Sequence, residues 1–586
     1  MRKVIATMAL GSLLISAAPP PPPQATQVQI APPAESAVRC NRRTLEPRYG
    51  VNALSGSVVV TDSKVQRRKG LAPPPPPGPP PPPPPPPPPV MAAPLSAESV
   101  TVTSSRVAGL PADQRYGTPA NTERYDGKPV ATVQSVATTP VSTFAIDVDT
   151  GAYANARRFL NQGQTPPAEA VRTEEFINYF RYDYPVPATR AEPFSVTTDV
   201  ARTPWNPDTR LLRIGLRGYD TSASERPAAN LVFLVDVSGS MQSEDKLGLV
   251  KRALTLLADK LTPRDSVSIV AYAGASGLVL APTNNRSDVK AALDCLEAGG
   301  STAGEAGLKL AYSTARSHFL KGGINRILLA TDGDFNVGIS DPKALEAFVK
   351  AQREDGITLT TLGFGTGNYN DALMEKIADV GNGNYAYIDS ALEAQKVLDD
   401  ELSATLVTIA KDVKVQVEFN PAAVKEYRLI GYENRALAEQ DFANDAVDAG
   451  DMGAGHQVTA LYEIVPAGAA GWLSDRRYLA NKPAPIRADA AELAFVKLRY
   501  KLPGEATSKL LQRPVPASLI GSAAAPRGDM AFAVAVAAFG QKLRGDDLLA
   551  KYDYAQIGAL AGEGPNYSRA EFVKLVQLAG ALRPVR

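Results

Sequence analysis

From Asn230 to Ala404 the chain alternates between short apolar runs and amphipathic stretches of helical period, and this alternation narrows the possible folds most. The runs Leu231–Val235, Ser266–Tyr272, Arg326–Ala330, Thr358–Phe364 and Tyr385–Tyr387 read as strands, several of them apolar enough to be buried on both faces. The segments Lys246–Leu261, Ser287–Ala298, Glu305–Phe319, Pro342–Asp355, Asp371–Val380 and Leu392–Leu402 carry apolar residues at helical spacing. Strands joined through helices are not hairpins; they run parallel, with the helices covering the sheet. The alternation therefore predicts a doubly wound α/β domain with a mostly parallel sheet over 229–404.

On both sides of this domain the pattern changes. Ahead of it, Thr143–Val148 reads as a strand, "TGAYANARRFL" and "AVRTEEFINYF" as helices, and Phe194–Ala201 and Leu211–Leu216 as extended stretches. Behind it, "KDVKVQVEF", "YRLIGYE", "HQVTALYEIV" and "AELAFVKLRYKL" read as strands, followed by helices at Met530–Leu543, Leu548–Gly558 and Arg569–Leu582. Two extended stretches are too few for a stable sheet of their own. They are expected to pair with the strands after Lys411. The α/β domain is then an insertion in a β-rich domain built from 139–228 and 405–525, with helices over 526–586.

The N-terminal region shows neither period. "MRKVIATMALGSLLISAA" has a basic start, an apolar stretch shorter than the roughly 20 residues of a membrane span, and small residues at its end. It reads as a secretory signal over 1–18, so the chain is expected in the periplasm or cell envelope, membrane-associated only through an uncleaved signal. Residues 19–138 hold the proline runs Pro19–Pro23 and Pro73–Pro89 and read as a disordered arm, a spacer in preference to a docking peptide.

Composition narrows the chemistry. With 62 basic against 61 acidic residues, there is no basic excess to serve nucleic acid. The only cysteines, Cys40 and Cys295, lie in unrelated contexts and argue against a disulfide framework. His318 and His456 are far apart and poorly supply a zinc or histidine-based catalytic centre.

The stretch "LVFLVDVSGSM" changes character at one residue, from a buried strand to alternating oxygen-bearing side chains: Asp236, Ser238 and Ser240. Ligands of open parallel sheets bind beyond the carboxyl ends of the strands, which is where these residues fall. "NRILLATDGD" ends a second strand at Asp332, and "AGGSTAGEAGL" puts Thr302 on a glycine-bracketed loop before a helix. Two carboxylates and three hydroxyls form an all-oxygen set suited to a hard cation, Mg2+ or Mn2+. Neutral hydroxyls leave such an ion electron-poor and open to an anionic partner. Taken singly, each residue has an ordinary alternative: Ser238, Ser240 and Thr302 as helix caps, Asp332-Gly333 as a turn.

At these residues the sequence resembles the von Willebrand factor type A domain with its metal-ion-dependent adhesion site, whose pattern is Asp-x-Ser-x-Ser, a distant Thr and a later strand-end Asp. Asp236, Ser238, Ser240, Thr302 and Asp332 complete it, with Thr302 preferred to Ser301 for its spacing to Gly307-Leu308. The resemblance implies that the hydroxyls approach the metal directly or nearly so, that the aspartates act in part through water, and that a protein partner supplies a carboxylate. The segments "STFAIDVDTGAYANARRFLNQGQ" and "FNPAAVKEYRLIGYENRALAEQ" are similar to companion regions of a bacterial envelope family built around this domain.

Two further readings compete with a non-enzymatic binding protein. A scaffold would use the metal only to stabilise its fold. A hydrolase would use Asp147 and Asp149 in "AIDVDTGA", which copies short protease and phosphatase motifs, but the second Asp-Thr-Gly of a protease is missing and no alternating domain follows directly. The acidic run Asp441–Asp451 lacks the ligand order of a calcium loop and reads as a solvated connection.

Overall fold

The computed structural model describes residues 122–582 except 147–148, 223, 334–341, 402–405, 475–490, 550 and 565. The signal at 1–18, most of the arm and Asp147 lie outside the described residues. Ahead of the α/β domain come β1 (Gln134–Ser135), β2 (Val141–Ala145), α1 (Gly151–Asn161), α2 (Thr173–Asn178), β3 (Phe194–Arg202) and β4 (Arg210–Gly218). The domain begins with β5 (Ala229–Asp236), α3 (Leu249–Lys260), β6 (Ser266–Tyr272), β7 (Ser276–Thr283), α4 (Arg286–Asp294) and α5 (Gly304–Ser317). It continues with β8 (Ile324–Thr331), α6 (Pro342–Glu354), β9 (Thr358–Phe364), α7 (Asp371–Val380), β10 (Tyr385–Ile388) and α8 (Ala391–Gln395). Then follow β11 (Thr408–Phe419), β12 (Val424–Ile430), β13 (Ala436–Leu437), β14 (Met452–Gly453), β15 (Gln457–Pro466), β16 (Glu492–Lys501) and β17 (Lys509–Pro516). Helices Gly528–Arg544, Tyr554–Ala561 and Tyr567–Ala581 close the described chain.

The inserted sheet runs β10-β9-β8-β5-β6-β7, parallel throughout except for β7 against β6. Its central strand shows why the run reads as unbroken apolar sequence: Leu231, Phe233 and Val235 pack with α3 and α4, while Val232 and Leu234 pack with α5, α6 and α7. β7 has no counterpart among the expected strands. It is a half-exposed edge strand, and without a buried face it leaves no period in the sequence.

The insertion is as expected. β4 pairs with β15 from Arg210↔Ile464 to Arg217↔Gln457, β3 pairs with β4, and β2 pairs with β11. Two sheets result, β1-β12-β15-β4-β3 and β13-β2-β11-β16-β17, and they share a core that includes Phe144, Leu212, Ile214, Val415, Tyr462 and Val496. On the other side of the first sheet, Leu211 and Leu461 meet α1, α2 and the C-terminal helices. Gly528–Arg544 is buried continuously from Met530 to Gln541, as a core helix apolar on all sides should be, and it ends at Gly545 in the left-handed conformation (φ 76°).

Two expectations need correction. Residues 122–138, assigned to the disordered arm, have defined structure: β1 pairs with β12, Val136 is buried, and Arg124 bridges to Asn370. Single side chains and backbone hydrogen bonds hold this segment, so it shows no period. Cys295 is disulfide-bonded, which its sequence context does not encode. The run Asp441–Asp451 is mostly exposed or half-buried, as a solvated connection should be, and its last residue, the half-buried Asp451, accepts hydrogen bonds from Asn382 Nδ2 (2.8 Å) and the Asp412 amide (3.2 Å).

The buried Arg157 and Arg172 and the half-buried Arg435 clamp the insertion to its host. Arg157 pairs with Asp389 (2.5 Å) and Glu393 (2.7 Å). Arg172 pairs with Glu175 and with Asp371 (2.6 Å), and Arg435 with Asp149 (2.9 Å) and Asp379 (2.7 Å). Among the described residues no helix is long and apolar enough to cross a membrane.

Candidate metal centre

Pairing of β5 with β6 and β8 sets Asp236 opposite Tyr272 and Val235 opposite Ala330, so three strand ends open on one crevice. Asp236, Thr331 and Asp332 are completely buried there. The Asp236 carboxylate is held by three donors: the Ser238 amide on Oδ1 (2.9 Å), and Thr331 Oγ1 (3.0 Å) and Tyr272 Oη (3.2 Å) on Oδ2. Burial pushes its carboxyl up to about 6; hydrogen bonds from Ser238 and Thr331 pull against that, and the Asp332 charge adds to it. A cation placed here would relieve the cost of a desolvated carboxylate beside a second one.

The turn after β5 carries the buried Ser238 and the half-buried Ser240, with their hydroxyls 2.9 Å apart. Ser238 precedes the turn Gly239–Gln242 without a capping side-chain bond. The residue before α5 is Ala303, not Thr302, and it makes no side-chain cap either. The helix-capping alternatives for Ser238 and Thr302 are thereby set aside. The loop carrying Thr302 is stitched to the turn by Gly239 N–Gly300 O (2.9 Å) and Gly299 N–Val237 O (2.8 Å), and to the end of β6 by Ala303 N–Ala273 O (2.6 Å). Asp236, Ser238, Ser240 and Asp332 thus gather at one crevice, and the half-buried Thr302 lies on the loop bonded to the turn beside it.

Lys246 and Asn368 complete the surroundings and, like Tyr272 and Thr331, were missed from sequence. Asp332 Oδ2 accepts from Lys246 Nζ (2.9 Å) and from Asn368 Nδ2 (3.1 Å), while Asn368 Oδ1 accepts from Lys246 Nζ (3.1 Å). The lysine stem crosses Gly365, where a Cβ would come within 2.3 Å of Lys246 Cγ and where φ is +72°. Applying the strand-end rule to β6 and β9 would have found Tyr272 and Asn368. Lys246 gave no signal, since a lysine in the first turns of a helix reads as solvated.

The loop that bears Asn368 is backed by the first described residues. Glu123 Oε1 accepts from the Gly367 amide (2.9 Å), and the Arg124 amide donates to Tyr369 O (2.9 Å). The side-chain atoms expected to face an ion are all oxygen, and among the described residues no cluster of three or more His, Cys, Asp or Glu could hold a metal by itself. An ion here would therefore rely on hydroxyls and water beside the two carboxylates, which fits Mg2+ or Mn2+ better than Zn2+ or Cu2+. Asp149, the described half of the hydrolase reading, accepts from the Tyr385 amide (2.8 Å) and Arg435 Nη2 (2.9 Å), and it joins the two domains.

Comparison with known proteins agrees with this architecture. The von Willebrand factor type A domain family matches residues 230–401, a von Willebrand factor family matches 119–213, and the family described as uncharacterized protein YfbK, C-terminal, matches 404–582. The uncharacterized protein YfbK of Escherichia coli (strain K12) is 46% identical over 505 residues, covering 84% of this chain and 85% of its own. A UPF0353 protein of Mycolicibacterium vanbaalenii is 30% identical over 196 residues, 29% of this chain and 58% of its own. A solved von Willebrand factor type A protein from Catenulispora acidiphila aligns over 69% of this chain and 93% of its own at 17% identity, with a TM-score of 0.39.

Proposed function

The chain belongs to the YfbK family, built around a von Willebrand factor type A domain, and from that premise we propose that it is a non-enzymatic, magnesium-dependent binding protein of the cell envelope. The domain points to a protein-binding role of adhesion type. The finer reading is an adhesion site at which Ser238, Ser240 and Thr302 hold the ion, with Asp236 and Asp332 acting directly or through water. The observation that carries it is the gathering of these oxygen donors at one strand-end crevice, with the Ser238 and Thr302 side chains not engaged as helix caps. Bound there, Mg2+ or Mn2+ would supply a hard, electron-poor acceptor for a carboxylate of a protein partner.

The chain's own groups do the positioning. Thr331, Tyr272 and the Ser238 amide fix the orientation of Asp236, and Lys246 with Asn368 fix Asp332. The residues 1–18, read as a signal, favour a place outside the cytoplasm.

Calorimetric titration with Mg2+ and thermal unfolding with and without Mg2+ test the reading, together with capture of partners from envelope extract in Mg2+ or chelator. Wild type is expected to bind Mg2+ and to gain stability from it. Asp332→Ala should weaken that binding by about 10–100-fold. Ser240→Ala should lose partner capture with little change in unfolding temperature. Capture by both variants at wild-type level in Mg2+ would sink the adhesion mechanism. If Asp236→Ala lowers stability but leaves capture intact, the metal serves the fold alone.

A further inference from the structure

Among the described residues, the crevice holds one positive side chain beside two carboxylates. Lys246 has 9% of its side chain exposed, Asp332 has none, and the ammonium bonds inward to Asp332 and Asn368. Gly365 leaves the room that the lysine stem fills. Enclosed in this way, the ammonium cannot reach out to a partner and acts on the crevice through its field.

We infer that Lys246 sets the anion preference of the centre: it weakens binding of the divalent ion and strengthens binding of a carboxylate to the ion-bearing centre. This rests on the reading of the crevice as a divalent-ion site given above. The formal charges carry the argument. Among the described residues Asp236 and Asp332 contribute −2 and Lys246 +1, so these three side chains sum to −1 before a divalent ion enters and +1 after. Without the lysine those values would be −2 and 0. A more negative crevice holds a cation more tightly, and a neutral ion-bearing centre draws an anion less. At an effective dielectric near 20, one unit charge ~6 Å from another changes an equilibrium by more than about tenfold. A lysine that only bridged β8 to the β9–α7 loop would move stability and leave both affinities unchanged.

Two variants shift the crevice charge by the same step through different residues. Lys246→Met removes the positive charge at similar length, and Asn368→Asp adds a negative one while keeping Lys246. Metal affinity is read by calorimetric titration of the full chain with Mg2+. Anion affinity is read with Mn2+ at saturation, as the loss of water-proton relaxation enhancement on adding acetate, the simplest carboxylate. Both variants are expected to bind Mg2+ at least about tenfold more tightly and to need at least about tenfold more acetate. Without metal, both should unfold at lower temperature than wild type and gain more from Mg2+. Should Lys246→Met fail to fold, Asn368→Asp carries the test alone. Wild-type affinities in both variants, or no displacement by acetate in the wild type, overturn this inference while the metal reading stands. Failure of the wild type to bind Mg2+ at all overturns the metal reading and this inference with it.

Discussion

Asp236 and Asp451 are both carboxylates that burial holds at about 6, but they face different surroundings. Asp236 looks into a crevice where a cation can compensate it. Asp451 lies half-buried at the seam between the insertion and its host, where the Lys411 charge and hydrogen bonds from Asn382 and the Asp412 amide only partly offset its loss of solvent. An unfolded aspartate releases its proton near 3.8 and folded Asp451 releases it near 6. Between those values the folded state binds more protons, so stability falls as pH rises through the window. The contribution is about 3 kcal/mol at most, at about 1.4 kcal/mol per unit. Asp451→Asn has no charge to desolvate. Its unfolding free energy relative to wild type should therefore rise by up to about 3 kcal/mol between about pH 4 and pH 7. Urea unfolding of both proteins across that range checks this; a constant difference refutes it.

At the scale of elements, the β9–α7 loop joins the crevice to the first described residues. One side of the loop presents Asn368 to Asp332 and Lys246, and the other is held by Thr122, Glu123 and Arg124. Burial alone would push the Glu123 carboxyl up, yet the Gly367 amide and Arg158 outweigh it and hold the carboxyl below its ordinary range. Glu123→Ala removes the acceptor for the Gly367 amide and the partner of Arg158 (3.0 Å). Faster hydrogen exchange over 365–371 and roughly tenfold weaker Mg2+ binding are expected, since outer positioning groups have effects of about 10–100-fold. Unchanged exchange in that peptide would mean that the segment does not position the loop.

Across the whole molecule, the two domains share buried charge and not only apolar surface. Arg157, Arg172 and Arg435 belong to the host, whereas Asp371, Asp379, Asp389 and Glu393 belong to the insertion. A buried ion pair adds little net stability over an apolar isostere, but removing one partner strands the other at a cost of about 3–5 kcal/mol. Arg172→Met leaves Glu175 and Asp371 without their arginine, so a loss of about 3–5 kcal/mol is expected by chemical denaturation. The same coupling predicts a single calorimetric transition for the full chain. Two well-separated transitions would show that the insertion unfolds independently of its host.

Much of this arrangement was legible in the chain because it is written in local pattern. Buried strands followed by oxygen-bearing residues at Asp236 and Asp332 marked the crevice, since backbone direction alone carries a strand-end residue to that edge of a parallel sheet. The pairing of β4 with β15 followed from counting strands that cannot stand alone. Tertiary structure alone decided the rest. Lys246 meets Asp332 across 86 residues and Asn368 across 122, and no periodicity records such a meeting. Neither β7, with no buried face, nor 122–138, held by backbone and single side chains, left a pattern to read. The three arginines of the seam gave no signal either, because a charged residue reads as solvated until its neighbours enclose it. Hydrophobic period reports which face of an element is buried; which neighbour buries it, and which charges that burial brings together, is settled only when the chain folds.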